Sequence, residues 1–513
     1  KMGKDLDASL VRGKDTPIEH DPSWGGVKVT GRDFKDVLFM LIFLCNLIAV
    51  CAISFWSYSV GSLDKCMIDD HDYFSKAVAF LNKHSALLGV SVGVAVAFGI
   101  LWLFLLRAFT RIAIYLTLAA SVAVVIAGGI YLVTLDNADV KIGGYVLFGI
   151  AFIMCCIILY LRKKIDLTAA VMAEACKGLQ HNPITFVVAT LVLGLITGFM
   201  VMWIASMMYL NCTPDSSDEH KNRWVFLYLL FGGCWVVLFL IAALRTSIAG
   251  GVAVWYFSRT AYVMDHLPMS PAITALGWAF STSFGSLAFG SMILAFIATI
   301  RFVLYRAEKA STGNKLASCI LACLRCCCAC IYSMVKFLNE FAYVYIAMYG
   351  HGFIDAAREV FHLIGRNPVS TIVVGSLGSM VLWFGRILGT VLSTLAVSGI
   401  LKTKYGASLN GSSSSWVLSL TAIVAFLVLT VFSNVITCAV DTVFVCYCEG
   451  LALASCRVMV RRSREEPREW PLHHGPFASR STAIRGGEEG GSGPQVRQAV
   501  KPSTQLYSVK KKK

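Results

Sequence analysis

The sequence predicts an all-α, polytopic integral membrane protein with about ten transmembrane helices, and three observations carry that expectation. Hydrophobic residues make up 57% of the 513-residue chain and charged residues 15%, with a mean hydropathy of +0.69. A soluble chain of this size could not bury that much apolar surface. Second, many separate runs reach the roughly 20 apolar residues that span a hydrocarbon core. Third, a motif recurs: EACKGLQHNPITFV (residues 174–187) is echoed by EVFHLIGRNPVSTIVV (residues 359–374) about 185 residues later. Each copy is an amphipathic stretch that meets Asn-Pro and runs at once into a long apolar segment. The pattern is that of a helix on the membrane surface turning at a proline into the bilayer. Pro183 and Pro368 suit the first turn of the entering helix, where a missing N–H is no loss.

In chain order, residues 1–35 are polar and mixed in charge. They form an N-terminal segment that is not a cleavable signal peptide, so the first span acts as an uncleaved signal anchor. That span is 37–58. Spans 84–106 and 112–135 flank the basic pair Arg107 and Arg111, and span 143–161 ends at Arg162-Lys163-Lys164. Spans 183–210, 224–257 and 283–304 follow, then 368–400 and 416–450. Residues 316–350 are apolar except for Arg325, Lys336 and Glu340, so hydropathy alone leaves them open. The Asn-Pro echo decides. Two similar entry points imply the same crossing direction and an even number of crossings between them, which requires this tenth span. The chain therefore divides into a cytoplasmic segment (1–35), a transmembrane domain (36–450) and a cytoplasmic, disordered basic tail (451–513) rich in Gly, Ser, Arg and Pro.

Positive charge sets the orientation. Arg107, Arg111, Arg162, Lys163, Lys164, Lys177 and Arg259 fall on one side, together with Arg457, Arg461, Arg462, Arg464 and Lys510 to Lys513 of the tail. That side is expected to be cytoplasmic. One loop, with Arg306, Lys309 and Lys315, disagrees. Two glycosylation sequons, at Asn211 and Asn410, both fall on the opposite, outer side, as sequons must. The net charge of +15 thus belongs to inner loops and tail rather than to a nucleic-acid surface; the terminal lysines are expected to form a solvated tail, with contact to anionic membrane lipid as the alternative.

Of the 18 cysteines, six crowd one span: Cys319, Cys323, Cys326, Cys327, Cys328 and Cys330. Their helical spacing superficially resembles a zinc site. No histidine or acid accompanies them, and cysteine also serves as a small residue where membrane helices approach closely. Helix packing is the first expectation, with lipid modification and metal binding as alternatives. Cys66 and Cys212 fall in outer, oxidising loops and form a candidate disulfide. No phosphate-binding loop, dinucleotide turn, HExxH pair or histidine cluster appears, so neither an enzyme nor a cofactor is expected.

Ionisable residues inside spans are the default functional candidates. They are Arg245, Glu340, Arg386, Asp441 and Glu449. Counting about 1.5 Å per residue from the inner ends puts Glu340 and Asp441 at similar depth with Arg245 slightly deeper, so a charge-neutral cluster is expected. Arg386 is nearer mid-membrane, without a depth-matched acid. Glu449 is expected to reach only the inner interface. Trp203, Trp235 and Tyr343 lie within spans rather than at interfaces. An aromatic cage can hold a quaternary ammonium without a full counter-charge; core packing is the alternative. The glycines at Gly232-Gly233, Gly250-Gly251, Gly285 and Gly290 allow close approach or unwinding.

Several blocks resemble the choline transporter-like family: FGGCW (residues 231–235), FGSLAFGS (284–291), KFLNEFAYVYIAMYG (336–350), LWFGRIL around Arg386 and AVDTVFVCYCE ending at Glu449. They recur in the family's order and cover most of residues 35–450. The resemblance implies ten spans and cytoplasmic termini in the plasma membrane. It also implies alternating-access transport of choline or ethanolamine, a quaternary or primary amine, for phospholipid synthesis. The alternative is a carrier or channel for another small organic solute. Two departures stand out: a short outer loop at residues 59–83, and Arg245 in place of an uncharged residue. On this reading Trp203, Trp235, Tyr343, Glu340 and Asp441 bind substrate while Arg245 and Arg386 balance charge.

The topology is open to direct measurement. Single cysteines placed at Asn182 and Asn367 should be labelled only from the cytoplasmic side, and one placed at Asn410 only from outside. Labelling of position 367 from outside would remove the tenth span.

Overall fold

The apolar runs of this chain contain almost no proline, and within a bilayer an uninterrupted helix is the way to satisfy every backbone group. A computed structural model describes residues 26–60, 85–135, 138–211, 219–258, 263, 266–311, 315–405 and 412–465, and among these no strand occurs. The helices are α1 (Val37–Val60), α2 (Ser85–Thr134), α3 (Ala138–His181), α4 (Ile184–Asn211), α5 (Glu219–Tyr256), α6 (Pro271–Ala279), α7 (Phe284–Ala310), α8 (Lys315–Tyr349), α9 (Phe353–Arg366), α10 (Pro368–Tyr405) and α11 (Ser412–Glu465). Among the described residues nine helices are long and apolar enough to cross a membrane. The chain divides into two units, Lys1–Val458 and Met459–Lys513. The packing described below lies within the first unit; of the second, only residues 459–465 are described.

Helix α2 unites the two spans expected at 84–106 and 112–135. Its 50 residues would extend about 75 Å if straight, against a hydrocarbon core of about 30 Å. It breaks at Phe109, whose φ of −126° and ψ of 26° are not helical. The halves have different partners. In the first, Phe98 and Trp102 pack against Gly389 and Gly385 of α10; in the second, Gly129 faces Gly144 and Phe148 of α3. The basic pair marks the break: Arg107 bonds Gln180 and Arg111 pairs with Asp166 at 3.2 Å. The expected loop is thus a kink, and each half of α2 is about as long as a single span requires.

The Asn-Pro echo appears in two forms. In the second copy α9 is a separate amphipathic helix that buries Phe353, Ala356, Val360 and Leu363. It ends at Asn367, whose carbonyl accepts from the Thr371 amide at 3.0 Å, and Pro368 opens α10. In the first copy there is no separate surface helix. The amphipathic stretch is the far end of the 44-residue α3, which continues unbroken from its apolar part. No proline or glycine pair interrupts residues 161–177, so nothing stops helix propagation there. Pro183 lies in the turn just before α4 rather than inside it.

Outward faces are apolar. Phe152, Leu159 and Tyr160 of α3 are exposed, a surface that only lipid would cover. The cysteine cluster of α8 behaves alike: Cys319, Cys323, Cys326, Cys327 and Cys330 are exposed free thiols. This corrects the expectation of helix packing, because the face they occupy points away from the neighbouring helices. Among the described residues no group of His, Cys, Asp or Glu could hold a metal. Cys66, Cys212 and Asn410 lie outside the described residues, as does all but the end of the first 35-residue segment. Asn211 is the last residue of α4.

The described end of that first segment is built into the protein. Val27 is fully buried, and the Lys28 amide donates to the Met348 carbonyl at 2.8 Å. Arg32 donates to the carbonyls of Ala347 at 2.6 Å and Met348 at 3.2 Å. These belong to the last turn of α8, whose carbonyls have no intrahelical partner. The Arg32 guanidinium also stacks on Trp278 of α6 at 3.6 Å. Asp36 has a positive φ of 54°, a conformation that Asp tolerates better than most residues. It is held there because its carboxylate accepts from Ser286 Oγ at 2.7 Å and from the Phe353 amide at 2.9 Å. Gly285 is required opposite: a Cβ there would lie 2.2 Å from the Asp36 carbonyl oxygen. A strap of ten residues therefore joins the ends of α1, α6, α7, α8 and α9.

His351 lies beside this strap, against the Tyr349 ring. Burial, then the nearby Lys35, Lys28 and Arg32 charges, push its pKa down from 6.5 to about 4. The unfolded chain binds a proton below about pH 6.5 that the folded chain refuses until about pH 4. Its contribution to stability is therefore whole above pH 6.5 and declines as pH falls between those values. Thermal unfolding in detergent should show this decline, and His351→Gln should flatten it; an unchanged pH profile in the variant would refute the assignment.

Candidate functional site

Apolar helices that carry a few ionisable residues must bring them together, since an isolated charge in a low-dielectric surround is strongly disfavoured. Here the meeting point joins α5, α8 and α11. Arg245 Nη1 is 3.1 Å from Glu340 Oε1 and Arg245 Nη2 is 3.5 Å from Asp441 Oδ2. The Arg245 side chain is 16% exposed and that of Asp441 9%, so the network is largely shielded. The cluster anticipated from depth is present, but it is not charge-neutral: Arg245 engages both acids, one cation against two carboxylates. The Cys438 thiol, one turn before Asp441, contacts the Arg245 carbonyl at 3.4 Å.

Beside this triad lies a cavity of about 840 Å³. Its walls come from α4 (Ala189, Leu193), α5 (Leu238, Arg245), α7 (Leu294, Arg301), α8, α10 (Ser379, Arg386) and α11 (Asn434, Thr437). Helix α8 contributes a full face: Tyr332, Lys336, Asn339, Glu340 and Tyr343 all line the space. Tyr332, Lys336, Glu340 and Tyr343 follow one another at intervals of three and four, and Asn339 precedes Tyr343 by four, the spacing that places side chains on one side of a helix. Asn339 Nδ2 donates to the Gly290 carbonyl at 2.8 Å, which anchors that face to α7. Phe337 adds a third ring to the wall.

Of the residues singled out in the sequence, Arg245, Glu340, Tyr343 and Arg386 line the cavity, and Asp441 joins through Arg245. Trp203 and Trp235 do not. The indole N–H of Trp203 donates to the Leu229 carbonyl at 2.8 Å, and that of Trp235 to Ala288 at 3.0 Å. Each ring crosses from one helix to the next as a packing anchor. Gly233 admits the first: a Cβ there would lie 2.0 Å from Trp203 Nε1. The three aromatics therefore do not form one cage. The rings on the cavity are Tyr332, Phe337 and Tyr343. Glu449, one residue from the end of its apolar span, is 9% exposed and accepts a hydrogen bond from the Tyr345 hydroxyl at 2.8 Å.

Arg301 and Lys336 were not anticipated as site residues, though both line the cavity. Lys336 was legible in principle, one turn before Glu340 on the same face. Arg301 lies near the end of an apolar run and reads from sequence as an interfacial charge.

Residues 145–451 match the family described as plasma-membrane choline transporters. A CTL-like protein of Dictyostelium discoideum is 33% identical over 82% of this chain and 85% of its own length. Choline transporter-like protein 2 of the same organism is 27% identical over 69% of this chain. Choline transporter-like protein 5 of Macaca fascicularis is 28% identical over 59% of this chain. The chain spans 61% and 50% of the length of these last two relatives.

The triad sets a clear expectation for stability. Arg245→Met leaves Glu340 and Asp441 facing each other without a cation and should cost about 3–5 kcal/mol. Arg245→Met combined with Asp441→Asn should recover part of that loss. Equal melting temperatures for wild type and Arg245→Met in detergent would show that the network carries no such weight.

Proposed function

This chain belongs to the choline transporter-like family, and from that premise we propose that it carries choline or a related amine across a membrane through the cavity beside Arg245. The observation that supports this most is the cavity itself. A volume of about 840 Å³ is ample for a small organic ion; ligand sites commonly occupy about 300–1,000 Å³. It is bounded by five helices that each cross the apolar layer, plus α5 of the triad, so a solute inside it is surrounded by protein at mid-membrane depth. Transport sites of secondary carriers lie at that depth and are opened alternately to each side. The same reading places the protein in the plasma membrane with both termini cytoplasmic, as the positive charges of the inner loops favour.

Choline carries a positive charge that no deprotonation can remove. Both nearby carboxylates are already committed to Arg245, so direct recognition falls to the rings of Tyr332, Phe337 and Tyr343. A cation over an aromatic face gains about 0.5–2 kcal/mol, so two or three rings supply a modest affinity. Modest affinity suits a carrier, which must release what it binds.

Saturable uptake of labelled choline into proteoliposomes containing the purified full-length chain tests this function. Tyr343→Ala and Phe337→Ala should each raise KM several-fold, while Tyr343→Phe keeps it near wild type. Trp203→Ala should instead lower the melting temperature, because that indole joins α4 to α5. Wild-type kinetics in all the ring variants would place recognition outside this cavity.

A further inference from the structure

The cavity has more positive than negative charge. Arg245, Arg301, Lys336 and Arg386 line it, against Glu340 alone on the wall and Asp441 behind it. Both carboxylates engage Arg245. Lys336 is one turn from Glu340 on α8, yet the nearest cation to that carboxylate is Arg245. Among the described residues, Arg301, Lys336 and Arg386 have no carboxylate partner within ion-pair distance, and Arg386 Nε is buried with no hydrogen-bond partner.

Arg386 is partly buried, whereas Arg301 and Lys336 are exposed on the side that faces the cavity. Arg386 is near the midpoint of the 38-residue α10, so about 27 Å of helix separates it from either end at 1.5 Å per residue. Lys336 is 14 residues from Gly350, about 21 Å by the same measure. Three like charges that converge on one cavity without counter-charge repel one another, and an anion entering among them would relieve that repulsion. The position is also ordered. Glu340 and Asp441 are about 15 Å from the α9 end of the bundle, whereas Lys336, Arg301 and Arg386 are all farther in. The acids and the spare cations occupy different levels of the same space. The cationic level holds donors suited to oxyanions: two forked guanidiniums, which match phosphate or carboxylate geometry, with the Ser379 hydroxyl on the same cavity wall.

We propose that Arg301, Lys336 and Arg386 form a subsite for an anionic oxygen group, a phosphate or a carboxylate, within the transport cavity. The inference rests on the reading of that cavity as the transport site. The group has two possible sources: it is carried on the solute, which is then a zwitterion bearing both an amine and an acid, or it is a separate anion bound beside the amine. In either case the positive wall, which alone would repel choline, is neutralised when the site is filled. The amine end is left to the rings and the anion end to the cations.

The test uses purified full-length protein and its Arg386→Gln, Lys336→Gln and Arg386→Lys variants. Inorganic phosphate and phosphocholine are the probes, with chloride keeping ionic strength constant. Phosphate should raise the wild-type melting temperature in a saturable way. Arg386→Gln and Lys336→Gln should each weaken phosphate at least tenfold, with Arg386→Lys within about threefold of wild type. Neither Gln variant should melt lower than wild type without ligand, since each removes an unpaired charge. In proteoliposomes, uptake of phosphocholine in competition with phosphate supports the subsite and puts the anion on the solute. Choline uptake accelerated by phosphate, with phosphocholine not carried, supports it with a separate anion. Phosphate binding that is lost in the Gln variants, in a protein that carries neither solute, upholds the subsite and defeats the carrier reading. Saturable choline uptake indifferent to both probes, or equal phosphate binding by wild type and both Gln variants, overturns the subsite and leaves the carrier reading standing.

Discussion

Arg245 is the constraint around which the transmembrane unit is arranged. A guanidinium keeps its proton under all ordinary conditions, so a buried arginine cannot escape its charge by neutralising, as a carboxylate or lysine can. Burial of Arg245 therefore requires acids from other helices, and Glu340 of α8 and Asp441 of α11 supply them. Neither acid could remain charged at that depth alone. Such a network adds little net stability over well-packed apolar residues of the same volume. What it fixes is position: α5, α8 and α11 can slide or rotate only by exposing an unpaired charge to an apolar surround. Register is thereby specified where oily surfaces alone would specify it poorly.

A second tie acts at the end of the bundle. Helix termini expose unpaired carbonyls and amides, and the strap from Val27 to Asp36 satisfies two such ends at once. Arg32 receives the terminal carbonyls of α8, and the Asp36 carboxylate receives the first amide of α9. These elements meet at Gly350-His351-Gly352, so the strap closes the corner between a membrane-crossing helix and an amphipathic one. Gly285 lets α7 approach the same corner. The triad orders the interior and the strap orders the end; both rest on an arginine meeting oxygen atoms that would otherwise be left without partners.

Much of this architecture was legible from residues alone, and what was not has physical reasons. Hydropathy finds crossings because the bilayer forces apolar length, and the echo at Asn182-Pro183 and Asn367-Pro368 supplied the tenth. It could not tell a loop from a kink: residues 107–111 look polar enough for a turn, yet one non-helical residue at Phe109 suffices. Depth counting brought Arg245, Glu340 and Asp441 together because charges in an apolar layer have few partners to choose from. The aromatic assignments were weaker. A tryptophan within a span has both an apolar body and one donor, and nothing in sequence says whether that donor meets a ligand or a helix carbonyl. Trp203 and Trp235 meet carbonyls. The strap was not legible, since short polar segments with alternating charge read as solvated chain unless the open helix ends that they cover are known.

The pairing of both acids with Arg245 also bears on how a carrier of this kind returns empty. A site that held a fixed cation on free carboxylates would be left with bare negative charge each time the cation departed, and the empty protein would be trapped or destabilised. With both acids already engaged by Arg245, the inner level of the cavity has the same charge filled or empty. The outer level is different, because Arg301, Lys336 and Arg386 lack such partners. On the proposed reading, the filled and empty states then differ mainly at the cationic wall. Occupancy is therefore felt through α7, α8 and α10, while α5 and α11 keep their ion pairs. Movement that follows from filling the site would be borne by α7 and α10, against the core of α5, α8 and α11 that Arg245 keeps in register.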